Sequence, residues 1–158
     1  MEDKLREIEE YAREKNVPIM ISDGIDYLCN YIKEHNIKKI LEIGSAIGYS
    51  AIRMALVDKD IEIVTIERDI DRYNVAIKNI DEFNLNGQIN IILGDAMDTD
   101  IEGIFDLIFI DASKGHNTYF FEKYKNNLAP HGVIITDNLS FHGLVEDERL
   151  AVTRNQRG

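Results

Sequence analysis

The sequence predicts one α/β domain, a parallel sheet with helices on both faces, for three reasons. Short apolar runs recur from Lys38 onward and are separated by amphipathic segments, which is the spacing of right-handed βαβ units. The runs are almost continuously apolar, as is typical of strands that are buried on both faces. Each run also ends in glycine or a carboxylate, at the sheet edge where such folds bind ligands.

The first 36 residues predict two amphipathic helices that precede this sheet. Asn16 and Pro18 end the first helix, and Ser22 or Asp23 caps the second. The apolar face of the first helix over 3–15 carries Leu5, Ile8, Tyr11 and Ala12. The apolar face of the second carries Ile25, Leu28, Cys29 and Ile32. Cys29 is the only cysteine of the chain, and its position predicts an inert core thiol.

Five strands and three helices follow in alternation. The predicted strands are 38–44, 61–66, 88–93, 106–110 and 133–136. The predicted helices are 49–57, 69–84 and one around 117–127, which Pro130 and Gly132 end. The buried side of the 69–84 helix is expected to carry Ile70, Tyr73, Ile77 and Ile80. The domain of residues 1–158 therefore divides into N-terminal helices (1–36), a core (37–138) and a C-terminal segment (139–158).

The C-terminal segment shows no further strand pattern. The fifth strand is therefore expected at a sheet edge, although its sequence is that of an interior strand. An apolar edge of this kind invites pairing with another chain, so a truncated form or a partner that covers the edge is expected. Separately, a homodimer is expected.

Charge and composition restrict the classes of function. The formal net charge is −11, which disfavours a broad nucleic-acid surface but leaves room for a local basic patch. The N-terminus has no apolar signal region, and no run approaches the ~18 residues of a membrane span. A cytoplasmic protein without membrane contact is expected.

The strand ends carry the residues that point to chemistry. The loop GSAIG (44–48) follows the first strand and lacks the GxGxxG dinucleotide spacing, so alone it could be a tight turn. Glu67 follows Gly48 by 19 residues, where an acid accepts hydrogen bonds from ribose hydroxyls. Asp95, after the third strand, can accept from an exocyclic amine. Together these residues favour an adenosine without a pyrophosphate.

Five ordered segments carry a family resemblance: ILEIGSAIGYSAIRMA, TIERD, GDAMD, FIDASKG and ITDN. Over about residues 8–150 the chain resembles the cation-dependent O-methyltransferases, which have the Rossmann-like class I methyltransferase fold. Within this family it looks most similar to the bacterial tRNA 5-hydroxyuridine methyltransferases, whereas catechol and caffeoyl-CoA O-methyltransferases are more distant. Relative to the family, the last two of seven strands are expected to be missing.

The resemblance implies a set of site residues. S-adenosyl-L-methionine would be surrounded by Met20, Glu42, Gly44, Gly48, Ser50, Glu67, Asp95, Ala96 and Asp111. A magnesium ion would be held by Asp111, Asp137 and Asn138. Lys114 would act with Asp111 in catalysis, either as a base or as a cation that stabilises the oxyanion. The alternatives are a Lys114–Asp111 ion pair, a turn at Asp137-Asn138, and core packing for Met20.

Three functions are compatible with these residues. The first is methylation of 5-hydroxyuridine at the tRNA wobble position, for which Lys33, Lys38 and Lys39, or Arg149, Arg154 and Arg157, offer thin basic patches. The second is methylation of a small catechol, which the acidic net charge favours. The third is a non-catalytic remnant that binds the cofactor or a partner.

Overall fold

The computed structural model describes residues 1–20, 23–111, 117–137 and 150–154, with the backbone alone at Asp111, Asn117, Thr118 and 150–154. The helices are α1 (Glu2–Glu14), α2 (Asp23–Glu34), α3 (Tyr49–Ala55), α4 (Ile70–Glu82) and α5 (Asn117–Tyr124), and a 3₁₀ turn (Lys125–Asn127) follows α5. The strands are β1 (Lys39–Ile43), β2 (Glu62–Glu67), β3 (Ile89–Leu93), β4 (Phe105–Asp111), β5 (Leu128–Asp137) and β6 (Leu150–Arg154).

The strands form one sheet in the order β3-β2-β1-β4-β5-β6. The first five strands pair in parallel, so their carboxyl ends share one edge of the sheet. The chain reverses its direction of winding between β1 and β4, and this switch point is where open α/β sheets bind ligands. The predicted Rossmann-like α/β class is confirmed.

Both faces of the sheet are buried, as the nearly continuous apolar runs predict. Ile40, Leu107 and Val133 face the core beneath α1, α2, α3 and α4. Leu41 and Ile108, the next residues along their strands, face a second core that contains residues of α5. This alternation follows from the two-residue period of side chains along a strand.

The C-terminal expectation of a bare fifth strand is wrong. β6 pairs antiparallel with β5 from Leu150 opposite Asp137 to Arg154 opposite Val133. β5 therefore lies inside the sheet, as its apolar sequence requires. The sequence LAVTR is short and adjoins charged residues, so its periodicity gave no strand signal.

The helix predicted around 117–127 is observed as α5 and the 3₁₀ turn that follows it, but Pro130 and Gly132 do not end it. The helix ends at Tyr124, and β5 already begins at Leu128, before these two residues. They are accommodated by an irregular pairing with β4 and by a left-handed backbone at His131, where φ is 64°. Proline is tolerated in a strand at such an irregularity.

The buried face of α4 differs from the predicted one. Ala76 and Ile80 are buried, whereas Ile70 is 51% exposed and Ile77 is 39% exposed. Asp69 caps this helix, because its side chain accepts hydrogen bonds from the backbone amides of Asp71 and Arg72. The cap fixes the helix start one residue later than predicted.

The two N-terminal helices form as predicted. Ile25, Leu28 and Ile32 of α2 are buried, whereas Tyr11 of α1 is exposed. The cap candidate Ser22 lies outside the described residues, and α2 begins at Asp23. Among the described helices, none has the length and apolar character to cross a membrane.

Candidate cofactor site

A crevice opens at the carboxyl edge of the sheet, over the ends of β1, β2 and β3. We call it the carboxyl-edge crevice. Its lining residues are Ile43, Gly44, Ile66, Glu67, Arg68, Gly94, Asp95, Ala96, Met97 and Phe120. Four of the predicted cofactor residues, Gly44, Glu67, Asp95 and Ala96, therefore lie together in one concave site.

The loop between β1 and α3 bends sharply to form one wall of this crevice. Gly44 has a φ of 98° and Gly48 a φ of 87°, a backbone region that side chains with a Cβ rarely adopt. A Cβ on Gly48 would also lie 3.3 Å from the Cβ of Ala76 in α4. Glycine at 48 therefore serves both the turn and the close packing of α3 against α4.

Glu67 joins this loop to the end of β2. Its side chain is buried, and its Oε1 accepts a hydrogen bond from the backbone amide of Ala46 at 2.7 Å. Its Oε2 accepts from the amide of Asp69 at 3.0 Å. Each carboxylate oxygen has a second lone pair. Glu67 can therefore hold the loop and still accept from a ligand hydroxyl in the crevice.

Glu42 lies beneath the loop in a buried polar network. Its Oε1 accepts from the Thr65 hydroxyl at 2.6 Å, and its Oε2 accepts a hydrogen bond from the Ser50 hydroxyl. The Ser45 hydroxyl contacts Thr65 at 2.5 Å. The network ties the predicted residues Glu42 and Ser50 together at the start of α3. Thr65 and Ser45 were not predicted, because a hydroxyl within a strand or a loop gives no distinct pattern.

Asp95 begins a tight turn after β3. Its Oδ1 accepts from the backbone amide of Met97 at 2.9 Å, and its backbone carbonyl accepts from the Thr99 hydroxyl at 2.7 Å. This turn places Ala96 and Met97 on the wall of the crevice. Phe120 of α5, which is itself buried, completes the wall.

The candidate metal residues lie at the neighbouring strand ends. Asp111 and Asp137 are paired across β4 and β5, so two carboxylate residues end adjacent parallel strands. Asp137 is buried. Asn138 and Lys114 lie outside the described residues, so their predicted roles stay predictions. Among the described side chains, no three His, Cys, Asp or Glu come together as a possible metal site.

Met20 is not among the described residues that line the crevice. Its side chain is buried in the core that α1 and α2 share with the sheet, as the packing alternative expects. Cys29 is half-buried at the edge of the same core, and its thiol lies 3.6 Å from the Arg53 carbonyl. Burial raises the pKa of this thiol to about 11, so it stays protonated at neutral pH.

Two of the three lysines that were expected to form a basic patch, Lys38 and Lys39, lie at the other edge of the sheet. Lys38 and Lys39 stand at the start of β1, where Lys38 is paired with Asp58. Lys39 borders a second crevice that includes Glu62 and Glu102. These lysines are therefore separated from the carboxyl-edge crevice by the length of the sheet.

Known O-methyltransferases are similar to this chain in sequence and in structure. A catechol O-methyltransferase from Niastella koreensis is 39% identical over 118 residues, which cover 70% of this chain and 53% of the relative. The crystal structure of a Staphylococcus aureus protein, provisionally assigned as a caffeoyl-CoA O-methyltransferase, superposes with a TM-score of 0.83 at 37% identity. The match covers 90% of this chain and 70% of that one.

A second similar structure is that of a complex. The O-methyltransferase from Bacillus cereus in complex with SAH matches with a TM-score of 0.77 at 31% identity, over 86% of this chain and 66% of that one. The chain thus spans about half to seven tenths of the length of these relatives. The O-methyltransferase family model matches residues 2–157. With this match over almost its whole length, the chain belongs to the O-methyltransferase family.

Proposed function

We propose that the chain transfers a methyl group from S-adenosyl-L-methionine to a hydroxyl of a small catechol-type substrate. The observation that carries this proposal is the carboxyl-edge crevice, in which Glu67 and Asp95 stand at neighbouring strand ends. An acid at the end of β2 suits ribose hydroxyls. The apolar wall of Ala96, Met97 and Phe120 suits a planar base.

The crevice fits an adenosine better than a dinucleotide. The loop 44–48 has no second close glycine that would admit a pyrophosphate. When bound, S-adenosyl-L-methionine supplies a methyl group on a positively charged sulfur. The chain's own part is to hold that group and the acceptor hydroxyl in line, which is catalysis mainly by orientation.

Asp111 and Asp137 supply the donor chemistry for a magnesium ion. Carboxylate oxygens are the hard ligands that Mg²⁺ prefers, and with few protein ligands it keeps positions for water and substrate oxygens. When bound, the ion supplies positive charge that lowers the pKa of an acceptor hydroxyl. The vicinal oxygens of a catechol suit such an open site. Lys114 is proposed as the base or as the cation that stabilises the oxyanion.

The small catechol replaces tRNA as the leading substrate. The matching relatives include a catechol O-methyltransferase at 39% identity, and the net charge of −11 opposes binding to a phosphate backbone. Lys38 and Lys39 offer no landing patch beside the crevice, because they lie at the opposite sheet edge. A cytoplasmic homodimer remains part of the proposal.

A methyl-transfer assay tests the proposal. The chain is incubated with labelled S-adenosyl-L-methionine and either a catechol or tRNA that lacks the modification, with magnesium or with EDTA. We expect transfer to the catechol that requires magnesium. Transfer to tRNA alone would restore the other substrate, and transfer to neither, with intact cofactor binding, would indicate a cofactor-binding protein without this activity.

A further inference from the structure

The connection between β3 and β4, residues 94–104, contains neither helix nor strand, and side chains of the α5 region bind its carbonyls. The Tyr124 hydroxyl lies 2.6 Å from the Ala96 carbonyl and 2.7 Å from the Thr99 carbonyl. Lys123 donates to the Met97 carbonyl at 2.9 Å. Because these backbone carbonyls accept their hydrogen bonds from side chains of α5, the path of the connection depends on α5.

Tyr124 is the most deeply placed of these donors. Its side chain is 1% exposed, and its single hydroxyl proton is shared between the two carbonyls. Burial raises the pKa of this phenol to about 12, and the negative charge of Asp100 adds to the shift. The hydroxyl therefore remains a donor at all ordinary pH values.

The bond to Ala96 acts on one rigid unit. The Ala96 carbonyl and the Met97 amide belong to the same planar peptide group. The carbonyl end accepts from Tyr124, and the amide end donates to Asp95 Oδ1 at 2.9 Å. Tyr124 thus fixes the Ala96–Met97 peptide group, and the amide of this group orients the Asp95 carboxylate in the crevice.

We propose that Tyr124 is a positioning residue for adenine recognition. Its hydroxyl holds the Ala96–Met97 peptide, and this peptide aims the Asp95 carboxylate at the exocyclic amine of the adenine. The inference rests on the proposed cofactor. It assigns the selectivity for adenine to a residue of α5 that does not touch the base through its hydroxyl.

Calorimetry with two ligands tests the inference. S-adenosylhomocysteine carries the adenine amine, and S-inosylhomocysteine carries an oxygen in its place. We expect Tyr124→Phe to weaken S-adenosylhomocysteine about 10-fold, the loss of roughly one hydrogen bond, and to change S-inosylhomocysteine no more than about 2-fold. The control Tyr119→Phe removes a hydroxyl that binds the Met97 carbonyl, in the following peptide group, and should change neither ligand.

The outcomes separate the two proposals. If the unaltered chain fails to bind S-adenosylhomocysteine, the proposed function falls and this inference falls with it. If the unaltered chain binds but Tyr124→Phe loses both ligands equally, or loses neither, the positioning role alone is overturned.

A second variant covers the case in which Tyr124→Phe does not fold. A fluorinated tyrosine at position 124 keeps the hydroxyl but lowers its pKa. The preference for S-adenosylhomocysteine should then fall as the pH rises through that lowered pKa, whereas the unaltered chain keeps its preference. A preference that does not change with pH in the fluorinated variant would overturn the inference.

Discussion

Replacing Glu67 by glutamine tests the central feature of the crevice. Each oxygen of the buried Glu67 carboxylate accepts one backbone amide, from Ala46 at 2.7 Å and from Asp69 at 3.0 Å. A glutamine side chain keeps one oxygen and turns an NH₂ group toward the other amide. One charge-assisted hydrogen bond is therefore lost, and a donor faces a donor.

The expected loss follows from these contacts. A hydrogen bond to a charged group contributes about 1.5–3 kcal/mol, so the free energy of unfolding should fall by about that amount. For a domain of this size the melting temperature should fall by about 3–12 °C. If Glu67 also accepts a ribose hydroxyl, the affinity for S-adenosylhomocysteine should fall by about 10- to 100-fold.

The assay pairs thermal unfolding with calorimetry, and β2 offers a matched control. Glu62 begins the same strand at the opposite sheet edge and is exposed, so Glu62→Gln should leave both quantities nearly unchanged. If Glu67→Gln lowers the melting temperature but leaves cofactor affinity equal to that of the control, Glu67 serves the loop alone. The ribose assignment would then be refuted.

Three further predictions concern backbone, pH and metal. Gly48→Ala should lower the free energy of unfolding by about 1–2 kcal/mol, because residue 48 has a φ of 87°. The control Gly87→Ala, with open space around its Cβ, should change the free energy of unfolding little. Equal losses for the two variants in thermal unfolding would contradict the strain argument. Burial raises the pKa values of Tyr49 and Tyr124 to about 12. Their neutral forms thus favour the folded state. The stabilisation from these two tyrosines should be fully present below pH 10, the ordinary pKa of tyrosine, and the free energy of unfolding should fall as the pH rises toward 12. In an absorbance titration, two tyrosines should ionise at a higher pH than an ordinary tyrosine. Asp137→Ala should abolish magnesium-dependent methyl transfer and keep S-adenosylhomocysteine affinity within about 3-fold, a small difference in binding free energy, whereas loss of both would indicate misfolding.

The sequence predicted the strands well because their apolar runs are nearly unbroken. It assigned two exposed residues, Ile70 and Ile77, to the buried side of α4, because they share the helical spacing of the buried Ile80. Spacing alone cannot tell which of several apolar stripes packs on the sheet. The strand β6 was missed for the opposite reason, since a short run beside charged residues becomes a strand only when a neighbouring strand pairs with it.

The candidate site likewise contains residues that the sequence predicted and residues that it did not. Glu67, Asp95 and Gly44 were predictable because they end strands, and the ends of parallel strands meet at one edge. Tyr124 was not, because its role comes from hydrogen bonds to carbonyls 25 and 28 positions earlier in the chain. Contacts of this kind depend on how α5 packs, which no local pattern encodes.

The position of Phe120 in the crevice wall has a consequence for synthesis. The other lining residues lie between Ile43 and Met97, so they leave the ribosome before α5 does. A nascent chain that ends before α5 has the first three strands but lacks Phe120 and the hydrogen bonds that Tyr124 donates to the β3–β4 connection. The cofactor would therefore bind late in synthesis, as a ligand that stabilises the finished domain and not as a template that nucleates it.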